Sequence, residues 1–310
     1  MFDKKFLTDA ARRSGETAMD RRRLLTMTGL AGAGVATALV LGSGEAANAA
    51  TSGGVSDASV LNLALNLEYL EAEFYQRAVF GHGLASSLTT GTGHHGSVHG
   101  GRQVHFKSKR IRQYAEEIAK DEQAHVAFLR SALGSAAVAR PDISLDAAFK
   151  AAAKAAGLGN DFDPYANETN FLLGAFVFED VGVTAYKGAA PLISNKTYLE
   201  AAAGILSVEA YHAATIRSTL FEMGHDAIHA ANAISDARDS LDGPRDDDQH
   251  LTSRGGVANI VPADHNGITY SRSPGQVLNV VYLNPKSVTK GGFFPTGVNG
   301  AVNTSAGATS

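Results

Sequence analysis

The sequence predicts an all-α protein centred on a four-helix bundle, two helical hairpins joined by a long crossover, followed by an irregular C-terminal extension. Three observations predict it. Apolar segments with a helical period run between residues 57 and 241, bounded by Gly and Pro stops. A four-residue constellation occurs twice: Glu68 with Tyr75 on one segment and Glu122 with His125 on the next, then Glu179 with Tyr186 and Glu209 with His212. The stretch from Glu122 to Glu179 is long and holds its own helical segment, the crossover that two packed hairpins allow.

The N-terminus stands apart from the bundle. Arg21, Arg22 and Arg23 precede a mild apolar run at residues 26–41, which Gly29, Gly32 and Gly34 weaken below a membrane span. Ala47, Asn48 and Ala49 then supply a small-x-small cleavage signal. Together these features read as a twin-arginine export signal over residues 1–49, the competing reading being an uncleaved membrane anchor. Passage through the twin-arginine export machinery would put the mature chain in the periplasm or outside the cell. The chain lacks Cys, so any metal must be held by oxygen and nitrogen ligands. Its net charge is −4 and no Lys/Arg-rich run follows the signal, which argues against a nucleic-acid surface.

The first bundle helix spans 57–80, with Asp57 as the expected N-cap and Gly81 as its stop. Leu61, Leu65, Glu68, Ala72, Tyr75 and Val79 share one stripe on it. The second helix spans 107–133 and ends at Gly134. An Ala-rich helix at 144–156 sits between Pro141 and Gly157. The next, 167–188, is closed by Pro191, and the one after runs from 195 to 224. The bundle is therefore assigned to 57–224, and a C-terminal helix at 226–241 with a Gly- and Asn-rich extension to 225–310. In that extension 277–283 reads as the one strong strand, in need of a pairing partner.

In each constellation the Tyr lies seven residues after the lone Glu, two helical turns along the same face. Each Glu-x-x-His sets a carboxylate and an imidazole one turn apart. Four carboxylates and two imidazoles converging between four helices suit a pair of first-row transition metals. The alternative is a metal-free polar core in which buried Glu and His satisfy one another, a costly arrangement for six ionisable groups. Glu71, one turn from Glu68, is an extra ligand at most, because its counterpart in the second half is Gly182. Glu73 falls on another face and reads as solvated, while a 100° step turns Asp121 and Asp180 away from the site, as solvated or subunit-facing carboxylates. His82, His94, His95, His99 and His105 lie in the 81–106 connection without regular ligand spacing, which reads as an exposed loop with at most loose metal binding. His225 and His229 receive no role.

The stretch 61–75, LNLALNLEYLEAEFY, carries a resemblance. With the two Glu-x-x-His pairs it resembles the ferritin-like di-metal carboxylate superfamily, and within it the bacterial and plant desiccation-related family. SPGQVLN at 273–279 and GGFFP at 291–295 are similar to tails of that family. The resemblance implies a bundle holding two Fe ions or, alternatively, two Mn ions. It implies terminal carboxylates from Glu68 and Glu179, bridging carboxylates from Glu122 and Glu209, and one imidazole nitrogen each from His125 and His212. It also implies that Tyr75 and Tyr186 donate hydrogen bonds to ligating carboxylates across the bundle. The expected function is redox or iron handling in desiccation or oxidative stress, with dioxygen or peroxide as substrate. A manganese-type catalase and a non-enzymatic, stress-protective metal-binding protein remain the alternatives. A tail reaching over a neighbouring copy leaves a homo-oligomer open.

Overall fold

In the computed structural model, which describes residues 55–253 and 255–307, the apolar segments form seven α-helices. The export signal expected at 1–49 lies outside the described residues. The bundle is built from α1 (Asp57–Phe80), α2 (Lys109–Leu133), α4 (Glu168–Ala189) and α5 (Lys196–Glu222). The crossover carries α3 (Ala147–Ala155), and α6 (His225–Asp242) and α7 (Pro274–Val281) follow the bundle. Two short parallel strands, β1 (Val98–His99) and β2 (Ile143–Ser144), tie the first hairpin's connection to the crossover. Among the described residues no helix is long and apolar enough to cross a membrane.

Side-chain caps set the helix starts. Ser108, Asn167 and Asn195 each accept a backbone N–H from the first turn of α2, α4 and α5. On α1 the cap is Ser56, whose hydroxyl accepts from Ser59 N, in place of the expected Asp57. Asp57 instead accepts from the backbone N–H groups of Ser194 and Asn195, both at 2.8 Å, and so pins the start of α1 to the start of α5.

The bundle packs as two hairpins, α1 on α2 and α4 on α5. The central helices, α1 and α4, are buried along almost their whole length, whereas α2 and α5 keep one face in solvent. Phe74 lies at the middle of the aromatic core against Phe149, Tyr165, Phe171 and Phe178. Phe293 reaches the same core from the C-terminal segment, with ring centroids 5.0 Å from Phe149 and 4.9 Å from Phe178. Burying that ring is worth roughly 2 kcal/mol of transfer free energy. The C-terminal segment is therefore folded onto the bundle.

Three expectations are corrected here. Residues 277–283 are no strand, for most of them lie in α7. Ser273 and Gln276 form a reciprocal capping box, and Pro274 occupies the first turn, where its missing N–H costs nothing. The β-branched residues reflect burial of α7, with Val277 and Val280 packed on Val181 and Ala185 of α4. Glu73 is fully buried between Arg77, at 3.1 Å, and Arg140, because the 81–106 connection and the crossover fold over its face. That connection is itself held down by β1 and by His94 on Asp142 at 3.0 Å, and is braced internally by His95 on Thr89 at 3.1 Å.

Asp180 is the third correction. It is buried and pairs with Arg217 at 2.7 Å and Arg238 at 3.0 Å. Arg238 also reaches Asp248 at 2.8 Å, and Arg272 joins Asp248 to Asp242. This chain of buried ion pairs fastens α5, α6 and the start of α7 to α4, one residue from Glu179. Breaking such a pair by removing one partner typically costs about 3–5 kcal/mol, because it strands the other charge.

Candidate metal centre

The middle of the bundle holds a cluster of carboxylates and imidazoles. Glu68 comes from α1, Glu122 and His125 from α2, Glu179 from α4, and Glu209 and His212 from α5; all six are buried. The one-turn spacing of each Glu-x-x-His puts both side chains on the inward face of its helix. Two groups result. Glu68, Glu122, His125 and Glu209 bring ligand atoms within 4.8 Å of one another, and so do Glu122, Glu179 and His212.

Glu122 is common to both groups. Its Oε2 lies 3.5 Å from Nδ1 of His125 and its Oε1 lies 3.0 Å from Nδ1 of His212. His125 Nδ1 is also 3.2 Å from Glu68 Oε2 and 3.8 Å from Glu209 Oε1, and His212 Nδ1 is 3.4 Å from Glu179 Oε2. Glu209 belongs to the first group alone. Each tyrosine crosses to the other hairpin: Tyr75 donates to Glu179 Oε1 and Tyr186 donates to Glu68 Oε1.

The donor set fits cations better than it fits itself. Both carboxylate oxygens of Glu122 and of Glu209, Oε2 of Glu179 and Nδ1 of His212 are buried without a hydrogen-bond partner. Buried polar atoms are normally satisfied, and unpaired ones cost about 1–3 kcal/mol each. Without cations, protons must balance the charge. Burial pushes Glu68 up from 4.5 to about 7 against the pull of His125. Burial and the neighbouring carboxylates push Glu209 well above the usual range, and burial also raises Glu179 although His212 opposes it. Burial disfavours charge on His125 and His212, yet the carboxylates around them prevail and hold their protons up to about 10 and about 12. Glu122 stays below the usual carboxylate range despite its burial, because both imidazoles contact it. First-row metals bound by oxygen and nitrogen would take the place of these protons.

Residues 56–222 match the ferritin-like domain family. The chain belongs to that family. Two relatives extend the likeness beyond the domain. The desiccation-related protein PCC13-62 of Craterostigma plantagineum is 31% identical over 264 residues, covering 79% of this chain and 83% of that one. The ferritin-like catalase Nec2 of Nesocodon mauritianus is 28% identical over 269 residues, covering 80% of this chain and 85% of that one. No solved structure matches the chain. Family and cluster together make this a metal-binding ferritin-like protein.

Within the ferritin-like domain, three residues matter that the repeated pattern does not assign. Asp121 is half-exposed and turned away from the cluster as expected, yet it is not merely solvated: its Oδ2 lies 3.2 Å from Nε2 of His212 and holds the far side of an inward-facing imidazole. Its place immediately before Glu122 is the only sequence signal for this. Gly182 makes room for Glu209, since a Cβ there would stand 2.2 Å from Glu209 Oε2. Glu71 is buried at the edge of the cluster, and burial with the charges of Glu122, Glu179 and Glu68 raises its pKa well above the usual range. Its pairing with Gly182 in the internal match is the trace the sequence carries.

Proposed function

We propose that this protein holds two metal ions, Fe or Mn, between its four helices and uses them in redox turnover of peroxide. One observation carries the reading: Glu122 faces a different imidazole nitrogen with each of its two oxygens, as a carboxylate shared by two ions would. Glu68, His125 and Glu209 would complete one side, and Glu179 and His212 the other. When bound, two such ions supply the reversible electron-pair exchange that lets one peroxide be oxidised while another is reduced.

The residues of the chain supply positioning and proton management. Tyr75 and Tyr186 each occupy one oxygen of a terminal carboxylate, which leaves the other oxygen of Glu179 and Glu68 directed at the cluster. Asp121 favours the proton of His212 on Nε2, so that Nδ1 offers its lone pair inward. In the metal-free protein, burial and the carboxylates around Glu71 favour its neutral form, an acid at the edge of the site. Packing of α7 and Phe293 narrows the α1–α4 side to a space of about 20 Å³.

The catalase relative supports peroxide disproportionation, and the desiccation-related relative supports a setting of water stress. Elemental analysis of the purified protein, paired with oxygen release from added peroxide, tests this. Near-stoichiometric metal with steady oxygen release is the expected result. Metal without peroxide turnover would leave iron handling or a structural centre, and folded protein that takes up no metal would end the proposal. Export by the twin-arginine route belongs to the same reading, on Arg21, Arg22 and Arg23 and the cleavage signal that follows. Replacing the three arginines by lysine is expected to hold the protein in the cytoplasm, as cell fractionation would report.

A further inference from the structure

The cluster meets solvent differently on its two flanks. Between α1 and α4 the groove is narrow: Val280, Val281 and Phe293 leave a space of about 20 Å³ beside Glu71 and Gly182. That is room for about one water. Between α2 and α5 a cleft of about 330 Å³ opens instead, and its lining includes His212 and Asp121.

The α2 wall of this cleft is acidic. Glu117 is exposed and lies one turn before Asp121 on α2, so two carboxylates stand on the same wall. No Lys or Arg lines the cleft. The Asp121 side chain is 41% exposed and hydrogen-bonds Nε2 of His212, while Nδ1 of the same ring faces Glu122 and Glu179 without a hydrogen-bond partner. One imidazole ring thus has its outer nitrogen on the cleft's carboxylate and its inner nitrogen on the cluster.

We propose that the α2–α5 cleft is the route by which divalent first-row cations reach the cluster, drawn in by Glu117 and Asp121. Carboxylates on the wall of a cleft concentrate cations there and raise their rate of arrival. The carboxylates replace part of the ion's water shell before the buried ligands replace the rest. The inference rests on the metal-binding reading, but concerns the rate of loading and so can fail separately from it.

The test is uptake of Mn²⁺ alone by metal-free protein, timed by loss of the free-ion EPR signal. Glu117→Lys is expected to slow loading about tenfold at low salt, with the final occupancy unchanged and the difference shrinking at high salt. Thr215→Trp, which narrows the cleft from α5, is expected to slow loading at any salt. Glu116→Lys makes the same charge change one residue away, outside the cleft lining and paired with Arg112, and is expected to load within about twofold of wild type. Wild-type loading rates in both cleft variants, or equal slowing by Glu116→Lys, would overturn the route. Wild-type protein that never binds Mn²⁺ would instead count against the metal-binding reading beneath it.

Discussion

The two hairpins present matching Glu, Glu-x-x-His and Tyr side chains to the same cluster, yet the residues beside those positions differ. In the first hairpin Asp121 precedes the Glu-x-x-His pair and Glu71 follows the lone Glu by one turn; in the second these places hold Val208 and Gly182. Asp121 reaches across to the imidazole of the second hairpin, and Val208 can return no such hydrogen bond. Gly182 yields its space to Glu209, whereas Glu71 fills the mirrored space with a carboxyl group. The internal symmetry is thus enforced at the positions that touch the cluster and dropped one residue or one turn away. A repeated motif marks the shared chemistry, and its departures mark where the halves have different work.

The largest expected effect separates Glu122 from Glu209. Glu122→Ala removes the carboxylate common to both groups and should abolish metal binding, while Glu209→Ala should retain roughly one ion per chain. Equal losses by elemental analysis would make the two positions equivalent after all. Next comes the mirrored pair of small and large residues. Gly182→Ala drives a methyl group into Glu209 and should cost about 1–3 kcal/mol in chemical unfolding together with metal content. Glu71→Ala should keep the metal.

pH sharpens the comparison of metal-free and metal-loaded protein. Glu68 has a folded pKa of about 7 against 4.5, so its contribution to stability is full below 4.5 and is lost as pH rises through 7. His125 and His212 act in the same sense, losing theirs between 6.5 and about 10 or about 12. The Tm of the metal-free protein should therefore fall from mildly acidic to alkaline pH. Metal affinity should rise over the same window as those protons leave, so the Tm gap between loaded and metal-free protein widens. Parallel profiles would mean that cations and these protons do not compete.

Smaller effects probe the outer contacts. Asp121→Asn should weaken metal affinity about tenfold in a competition titration, while Val208→Ala stays within about twofold. Tyr75→Phe and Tyr186→Phe should each cost about 1 kcal/mol in stability, and nearly equally, since both make the same cross-bundle hydrogen bond.

Much of the bundle was legible in the chain because its signals are periodic and local. Gly81 and Gly134 stop helices where the apolar stripes end, and the seven-residue Glu-to-Tyr step survives folding as a shared face. What escaped depends on distant covering. Glu73 looks solvated until Arg140 folds over it, and Asp180 until Arg217 and Arg238 arrive from α5 and α6. Residues 277–283 show the opposite failure: the capping box at Ser273 and Gln276 was readable, but a β-branched run buried on α4 imitates a strand. The role of Asp121 is hidden in the sequence because a 100° step rules out the near side of the cluster and not a neighbour's far imidazole nitrogen.

The buried arginines also set a timetable. Arg272 and Phe293 stand near the end of the chain, and both finish their packing on α4 or on the segment clamped to it. During synthesis the four bundle helices are complete well before those residues leave the ribosome, so Asp242 and Asp248 wait without Arg272, and Phe178 waits without its cover. A chain cut short after α6 would carry every proposed ligand and still be unfinished. The segment from Arg272 onward thus completes the packing of helices made before it, and a nascent chain that lacks it holds its ligands in an unfinished core.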